Sequence, residues 1–203
     1  MLYPARHTPL QAKYKFKEGF IMQTQKFGVK TVVAIGIGSA IYFLLARFVS
    51  IPIFVNTSLA FQYAVLAFFA TVFGPVAGLL IALIGHILTD LTLYGLWWSW
   101  IITSGIVGLA TGFLMRGNKV EEGEFDKKAI IKFAVGSLII HAVTWTGIAP
   151  TLDILIYKDP ASKVYLQGAI AGLTNGIITA VIGSLILIAY SKTRVKTGSL
   201  KKD

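Results

Sequence analysis

The stretch GHILTDLTLYGLWWSW, residues 85–100, places ionisable and aromatic side chains inside one of the most apolar parts of the chain. His86 and Asp90 are four residues apart, so a helix puts them on one face. Ionisable residues at membrane depth usually face a bundle interior or a water-filled cavity and mark a functional site. Trp97 and Trp100 share another face, and their indoles are suited to stack on a flat ring. The stretch therefore predicts one wall of a binding pocket.

Similar polar groups stand in later apolar runs and in the connections between them. His141 and Trp145 are again four residues apart, and Asn175 lies beside a row of glycines. For this carboxamide, an interhelical hydrogen bond and a ligand contact are equal alternatives. Aromatic rings with a few convergent hydrogen-bonding groups are typical of a small-molecule pocket. The predicted substrate-binding residues are Asn56, His86, Asp90, Trp97, Trp100, His141, Trp145, Asp153 and Asn175.

A metal site is a weaker interpretation of the same residues. Two imidazoles and a carboxylate can bind a divalent ion. His86 and Asp90 are in a different apolar run from His141, however, and no fixed-spacing metal motif joins them. We therefore expect neither a metal site nor a cofactor.

The sequence also lacks the motifs of several enzyme classes. It has no cysteine, no GxxxxGK[ST] phosphate-binding loop and no HExxH pair. We predict that the chain is not an enzyme and that any coupled ATP hydrolysis occurs on another subunit. One alternative stays open, a stand-alone proton-coupled secondary transporter of a small solute with Asp90 as its buried relay.

The elements that must position these residues are long apolar segments. Of the 203 residues 55% are hydrophobic and 14% are charged, and the mean hydropathy is +0.72. A helix needs roughly 20 apolar residues to cross a bilayer. Gly74-Pro75 is a strong turn signal that divides the apolar run 59–93. We predict an all-α integral membrane protein with six transmembrane helices in one bundle, at 29–48, 59–73, 76–93, 96–115, 129–148 and 167–190.

The net charge of +10 is arranged as expected for membrane topology rather than for nucleic-acid binding. Most lysines and arginines lie near the two ends of the chain or between residues 116 and 132, and cytoplasmic segments carry such an excess. An even number of spans then puts both termini in the cytoplasm and the segments 50–58, 93–95 and 149–166 outside. The predicted organisation is a cytoplasmic N-terminal extension (1–25), a six-helix membrane domain (26–192) and a basic cytoplasmic tail (193–203), with Met1 and Met22 as alternative starts.

Small residues recur at four-residue spacing in the first span. The two overlapping pairs are Ala34 with Gly38 and Gly36 with Ala40. Such notches let helix backbones approach closely inside lipid. The spacing does not separate packing within the bundle from docking to a partner membrane protein.

Four stretches of the chain resemble the S-components of energy-coupling factor (ECF) transporters, in a bacterial subfamily related to the riboflavin-type members. The first is KTVVAIGIGSAIYFLLARF and the second is SIPIFVNTSLAFQYAVLAFFATVFGPVAGLLIALIGHILTDLT. The others are WWSWIITSGIVGLATG and PTLDILIYKDPASKVYLQG, the latter continuing into the glycine-rich span with Asn175. The resemblance covers nearly the whole chain from about Lys26.

The resemblance implies a multi-pass protein of the bacterial cell membrane with six helices and cytoplasmic termini. It implies a vitamin-sized ligand held from the outer side, with a flavin, a thiamine or pyrimidine precursor, or cobalamin as candidates. A scaffold membrane subunit and two ATPase subunits are the implied partners. An Ala-x-x-x-Ala pattern on the first helix faces the scaffold in this family. Its counterparts here are Ala34, Gly36, Gly38 and Ala40.

Overall fold

The computed structural model describes residues 28–55, 57–93 and 95–194. The predicted N-terminal extension, most of the basic tail, both candidate start sites and Asn56 lie outside these residues. The described residues form six helices and a short hairpin, which confirms the predicted all-α class. The helices are α1 (Val29–Phe48), α2 (Gln62–Phe73), α3 (Pro75–Leu93), α4 (Trp98–Leu114), α5 (Lys127–Tyr157) and α6 (Ala161–Lys192).

The apolar helices match the predicted spans in number and order. α1, α3, α5 and α6 are long and apolar enough to cross a membrane, whereas α2 and α4 are shorter apolar helices. α1 has the bounds predicted from the sequence. The turn between α2 and α3 lies at Gly74, whose φ of 89° favours glycine because other residues meet a steric penalty there. Pro75 follows as the first residue of α3, where its missing N–H costs no hydrogen bond.

Two predicted outer loops have more regular structure than expected. The segment 50–58 contains strands β1 (Ile51–Phe54) and β2 (Thr57–Leu59), paired antiparallel. The segment 149–166 is almost entirely helical, because α5 continues to Tyr157 and α6 begins at Ala161. Pro150 does not end α5, since it follows a π-helical turn (Thr144–Ile148). In this turn the Ala149 N–H bonds to the Thr144 carbonyl, so the hydrogen-bond ladder is already displaced where proline enters.

Side-chain contacts between helices and connecting segments mark the two ends of the bundle, which we call distal and proximal. At the distal end, Gln167 Nε2 donates to the Val55 carbonyl of the hairpin at 2.9 Å. At the proximal end, Glu121 of a 3₁₀ turn (Val120–Glu122) pairs with Lys30 at the start of α1 and with Arg194 after α6. A proximal cluster fills the bundle above this turn, made of the buried side chains of Ala67, Met115, Val120, Phe125, Phe133 and Leu187.

The small residues of α1 divide between the inside and the surface of the bundle. Ala34 and Gly38 are buried, and a Cβ added at Gly38 would lie 2.7 Å from Ile81 Cδ1. Gly36 and Ala40 are exposed, and nothing lies within 4 Å of a Cβ added at Gly36. The two overlapping pairs therefore have different surroundings, one within the bundle and one on its surface.

Candidate substrate-binding site

A group of hydrogen-bonding side chains joins α1, α2, α3 and α4 in the distal half. His86 Nδ1 lies 2.6 Å from Ser104 Oγ and 3.4 Å from the Tyr42 hydroxyl. Ser104 Oγ lies 2.7 Å from the Tyr63 hydroxyl. His86 Nε2 is 3.5 Å from Asp90 Oδ1, so the predicted shared face of these two residues is present. We call these five residues the polar hub.

Asp153 of α5 is the acceptor for a second group, at the start of α4. The indole Nε1 of Trp97 donates to Asp153 Oδ1 at 2.8 Å, and that of Trp100 donates to Oδ2 at 3.0 Å. The Ser99 hydroxyl also donates to Oδ1. Trp97 stacks on Tyr157 with ring centroids 4.2 Å apart. The predicted shared side of Trp97 and Trp100 is thus observed, although Trp97 precedes α4 rather than belonging to it.

Further inside, aromatic rings from α2, α4 and α5 meet edge to face. Trp145 is 5.0 Å from Trp100 and 5.7 Å from Tyr63 between ring centroids. Tyr63 also meets the ring of His141 at 5.2 Å. We call Tyr63, Trp100, His141 and Trp145 the aromatic cluster. Its rings pack in the arrangement that aromatic quadrupoles favour.

Several buried polar atoms, two of them in the aromatic cluster, have no hydrogen-bond partner among the described residues. They are Gln62 Oε1, His141 Nδ1, Trp145 Nε1 and Asn175 Oδ1. Gln62 precedes Tyr63 in α2, and Asn175 lies on the part of α6 that packs on α5. The α5–α6 approach is close, since a Cβ at the neighbouring Gly172 would lie 3.1 Å from the His141 carbonyl. The remaining unpartnered side-chain atoms in the described residues are three serine hydroxyls and Arg194 Nε.

These contacts unite most of the predicted site. His86 and Asp90 connect to Trp97, whose backbone N–H donates to Asp90 Oδ2 at 2.9 Å. Trp97 and Trp100 connect to Asp153, and Trp100 connects to Trp145. His141 is joined through Tyr63, and its Nε2 lies 3.1 Å from Thr179 Oγ1. Asn175 is buried nearby, whereas Asn56 is outside the described residues. No group of three His, Asp or Glu suited to a metal occurs in the part of the chain that the structure describes.

The sequence did not mark several members of this site, among them Tyr42, Gln62, Tyr63 and Ser104. All four are buried, and each stands in an apolar helix. The available signal was spacing, because Ser104 stands four residues after Trp100 and donates to its carbonyl at 2.9 Å. The link from Ser104 to Tyr63 spans 41 residues and depends on tertiary packing.

Comparison with known proteins identifies the family. The family model described as ECF-type riboflavin transporter, S component, matches residues 26–192. A UPF0397 protein of Lacticaseibacillus casei (strain BL23) is 49% identical over 185 residues, covering 90% of this chain and 100% of the relative. UPF0397 proteins of Staphylococcus aureus strains MSSA476 and MRSA252 are 47% and 48% identical over 184 residues, with the same coverage.

No solved structure matches the chain. Membrane-spanning helices and the family together indicate a multi-pass protein of the plasma membrane that acts in transport. The family is one of transporter subunits rather than enzymes, and its members work with scaffold and ATPase subunits. The chain belongs to the S-component family of ECF-type transporters.

Proposed function

We propose that this chain binds a flat, water-soluble vitamin or vitamin precursor in its distal half, as the substrate-specific subunit of an ECF importer. The supporting observation is the set of unpartnered polar atoms beside the aromatic cluster: Gln62 Oε1, His141 Nδ1, Trp145 Nε1 and Asn175 Oδ1. Partner subunits supply ATP hydrolysis, and the distal end faces outward.

A buried donor or acceptor without a partner costs about 1–3 kcal/mol, so a stable bundle rarely keeps several together. Aromatic walls with a few polar groups are typical of ligand pockets. The carboxamide oxygens of Gln62 and Asn175 can accept from ligand N–H groups, and Trp145 Nε1 can donate to a carbonyl or ring nitrogen. The combination suits the edge of a heterocycle that carries both donors and acceptors.

Charge narrows the class of ligand. The two carboxylates near the cluster are engaged, Asp90 with Trp97 and His86, and Asp153 with three donors. The aromatic cluster and its unpartnered neighbours include no lysine or arginine. A ring without a phosphate is therefore favoured over a phosphorylated one. Riboflavin is the first candidate because the family model's description names it; a thiamine or pyrimidine precursor and cobalamin are the others.

A titration of the purified protein tests this proposal. Riboflavin, thiamine, its pyrimidine precursor and cobalamin are added separately in detergent, and tryptophan fluorescence is followed. We expect saturable quenching by one of them, lost in Trp145→Phe and kept in Trp98→Phe. Trp98 is the matched control because its side chain is exposed. If none of the four ligands changes the fluorescence while near-ultraviolet circular dichroism shows native packing, the proposal is wrong.

Docking to the scaffold subunit is proposed at the exposed face of α1. Gly36 and Ala40 lie on this face, whereas Ala34 and Gly38 are committed to packing within the bundle. We expect Gly36→Leu to abolish co-purification with the scaffold and the two ATPases while vitamin binding persists. Leu44→Val, on the exposed part of the same helix, is the matched control. Co-purification of Gly36→Leu at the wild-type level would exclude this face.

Reconstitution of the chain alone separates the proposal from a proton-coupled carrier with Asp90 as its relay. In liposomes with an imposed pH gradient, we expect binding of the vitamin without accumulation. Accumulation that follows the gradient and stops in Asp90→Asn would instead support the carrier.

A further inference from the structure

The first turn of α4 is held by side chains from both neighbouring helices. The first N–H groups of a helix have no partner within it. Here Asp90 of α3 accepts the N–H of Trp97, and the Tyr157 hydroxyl of α5 accepts that of Trp98 at 2.7 Å. Asp153 accepts from the side chains of Trp97, Ser99 and Trp100. A carboxylate beside a helix N-terminus is also favoured by the helix dipole.

The hydrogen-bonding capacity of Asp153 is largely used within the protein. A carboxylate offers about four acceptor positions, and two indoles and one hydroxyl occupy three of them. Only 3% of Asp153 is exposed. One acceptor position is left, and the burial of the side chain restricts a ligand's access to it.

The same contacts fix the orientation of both indole rings. Trp100 is held at Nε1 by Asp153 and meets Trp145 edge to face. Trp97 is held at Nε1 by Asp153 and stacked on Tyr157. Neither ring can turn without breaking its bond to the carboxylate. Trp100 therefore presents a fixed surface to the other rings of the aromatic cluster.

We propose that Asp153 is a positioning residue, which sets ligand affinity by fixing the rings of Trp97 and Trp100 and does not itself contact the ligand. This inference rests on the proposed function, and it changes the role that the sequence suggested for Asp153. It assigns recognition to the aromatic cluster and its unpartnered atoms. The carboxylate then acts through the indoles.

The first test needs no ligand. The chain has four tryptophans, so its ¹⁵N-labelled indoles give four signals that single Trp→Phe variants assign. We expect Asp153→Asn to shift the Trp97 and Trp100 signals, because an amide supplies one acceptor oxygen where the carboxylate supplied two. Asp159→Asn, which removes a carboxylate paired with Lys163 at the turn after α5, is the matched control and leaves all four signals in place. Unchanged Trp97 and Trp100 signals in Asp153→Asn would overturn the inference.

The second test is a double-mutant cycle with riboflavin as the probe. We expect Asp153→Asn to weaken binding about tenfold, the order expected for a hydrogen bond to a charged group. In a Trp97→Phe, Trp100→Phe background, the same substitution should change affinity less than twofold, because the groups it acts through are gone. A tenfold loss in both backgrounds would show direct contact between Asp153 and the ligand, and would overturn the inference.

Two further results keep the test decisive. If Asp153→Asn does not fold, Trp100→Phe is used in its place, because this variant removes one donor to Asp153 and keeps an aromatic ring. Undiminished riboflavin affinity of Trp100→Phe would contradict the inference. If the wild-type protein does not bind riboflavin, the choice of ligand fails, while the indole signals still decide whether Asp153 fixes the rings.

Discussion

The proximal and distal halves of the bundle are stabilised by different kinds of side chain. The proximal cluster is apolar, and Phe133, the more buried of its two phenylalanines, packs against Phe125 and Gly183. The ion pairs at this end are between exposed or half-exposed groups, as in the 2.7 Å contact of Lys30 with Glu121. Both halves bury hydroxyls, but the distal half also buries imidazoles, carboxylates and indoles, several of them without partners among the described residues.

On the proposed function, this difference separates residues that stabilise the fold from residues assigned to ligand binding. Close packing of apolar side chains holds helices together inside lipid, whereas exposed ion pairs contribute about 0–1 kcal/mol each. The proximal half therefore gains its stability from the proximal cluster. The distal half is less stable than an apolar core would be, because it buries polar groups. Functional sites commonly carry such a cost in stability. Substitutions in the two halves should accordingly differ in which property they change.

Phe133→Ala should have the largest effect on stability. Removing a buried phenylalanine costs about 3–5 kcal/mol, since a cavity remains. Denaturant unfolding in detergent measures this loss, and Ile139→Ala, on the exposed side of the same helix, is the control. The fraction that stays folded should bind riboflavin within twofold of wild type. A large loss of affinity in that fraction would mean that the two halves are not independent.

Ser104→Ala should have an intermediate effect and should change both properties. It leaves the Tyr63 hydroxyl and His86 Nδ1 without their contact to Ser104, which costs about 1–3 kcal/mol of stability. It also frees the Tyr63 ring in the aromatic cluster, so affinity should fall severalfold. Ser191→Ala is the matched control at the proximal end, where the hydroxyl donates to the Ile188 carbonyl of its own helix. Equal losses of stability and affinity in the two variants would show that Ser104 of the polar hub does not differ from an ordinary buried serine.

Glu121→Gln should have the smallest effect. It weakens the pairs with Lys30 and Arg194, whose side chains are 67% and 36% exposed. We expect a loss below about 1 kcal/mol that disappears at high salt, because such pairs are screened. Unfolding at low and high ionic strength checks this. A larger, salt-independent loss would show that the proximal end depends on charge rather than on the proximal cluster.

The sequence predicted the parts of this structure that follow from local pattern. Hydropathy gave the bounds of α1, and the turn preference of Gly74-Pro75 separated α2 from α3. Helical spacing placed His86 and Asp90 on one face. The fifth span was predicted to end at residue 148, whereas α5 continues to Tyr157 through a π-helical turn that has no sequence signature. Asp153 was consequently expected in a loop, whereas it lies on a helix facing α4.

The remaining features of the site depend on contacts between distant segments. The same spacing rule treats Gln62 and Tyr63 as ordinary residues at the start of a helix. Only the packing of α2 against α4 and α5 brings Tyr63 to Ser104, His141 and Trp145. The difference in burial between Gly36 and Gly38 also depends on tertiary packing, because the contact of α1 with α3 decides which of the two is buried. Such information is absent from any single segment.

The most direct test of the account is the indole signal of Trp145 in the ¹⁵N-labelled protein. Its Nε1 has no partner among the described residues, whereas those of Trp97 and Trp100 are bound to Asp153. Saturating riboflavin should shift the Trp145 signal most, as its N–H gains an acceptor, and should leave the Trp97 and Trp100 signals nearly in place. A Trp145 signal that stays unchanged while riboflavin is bound would contradict the assignment of the ligand to the distal half.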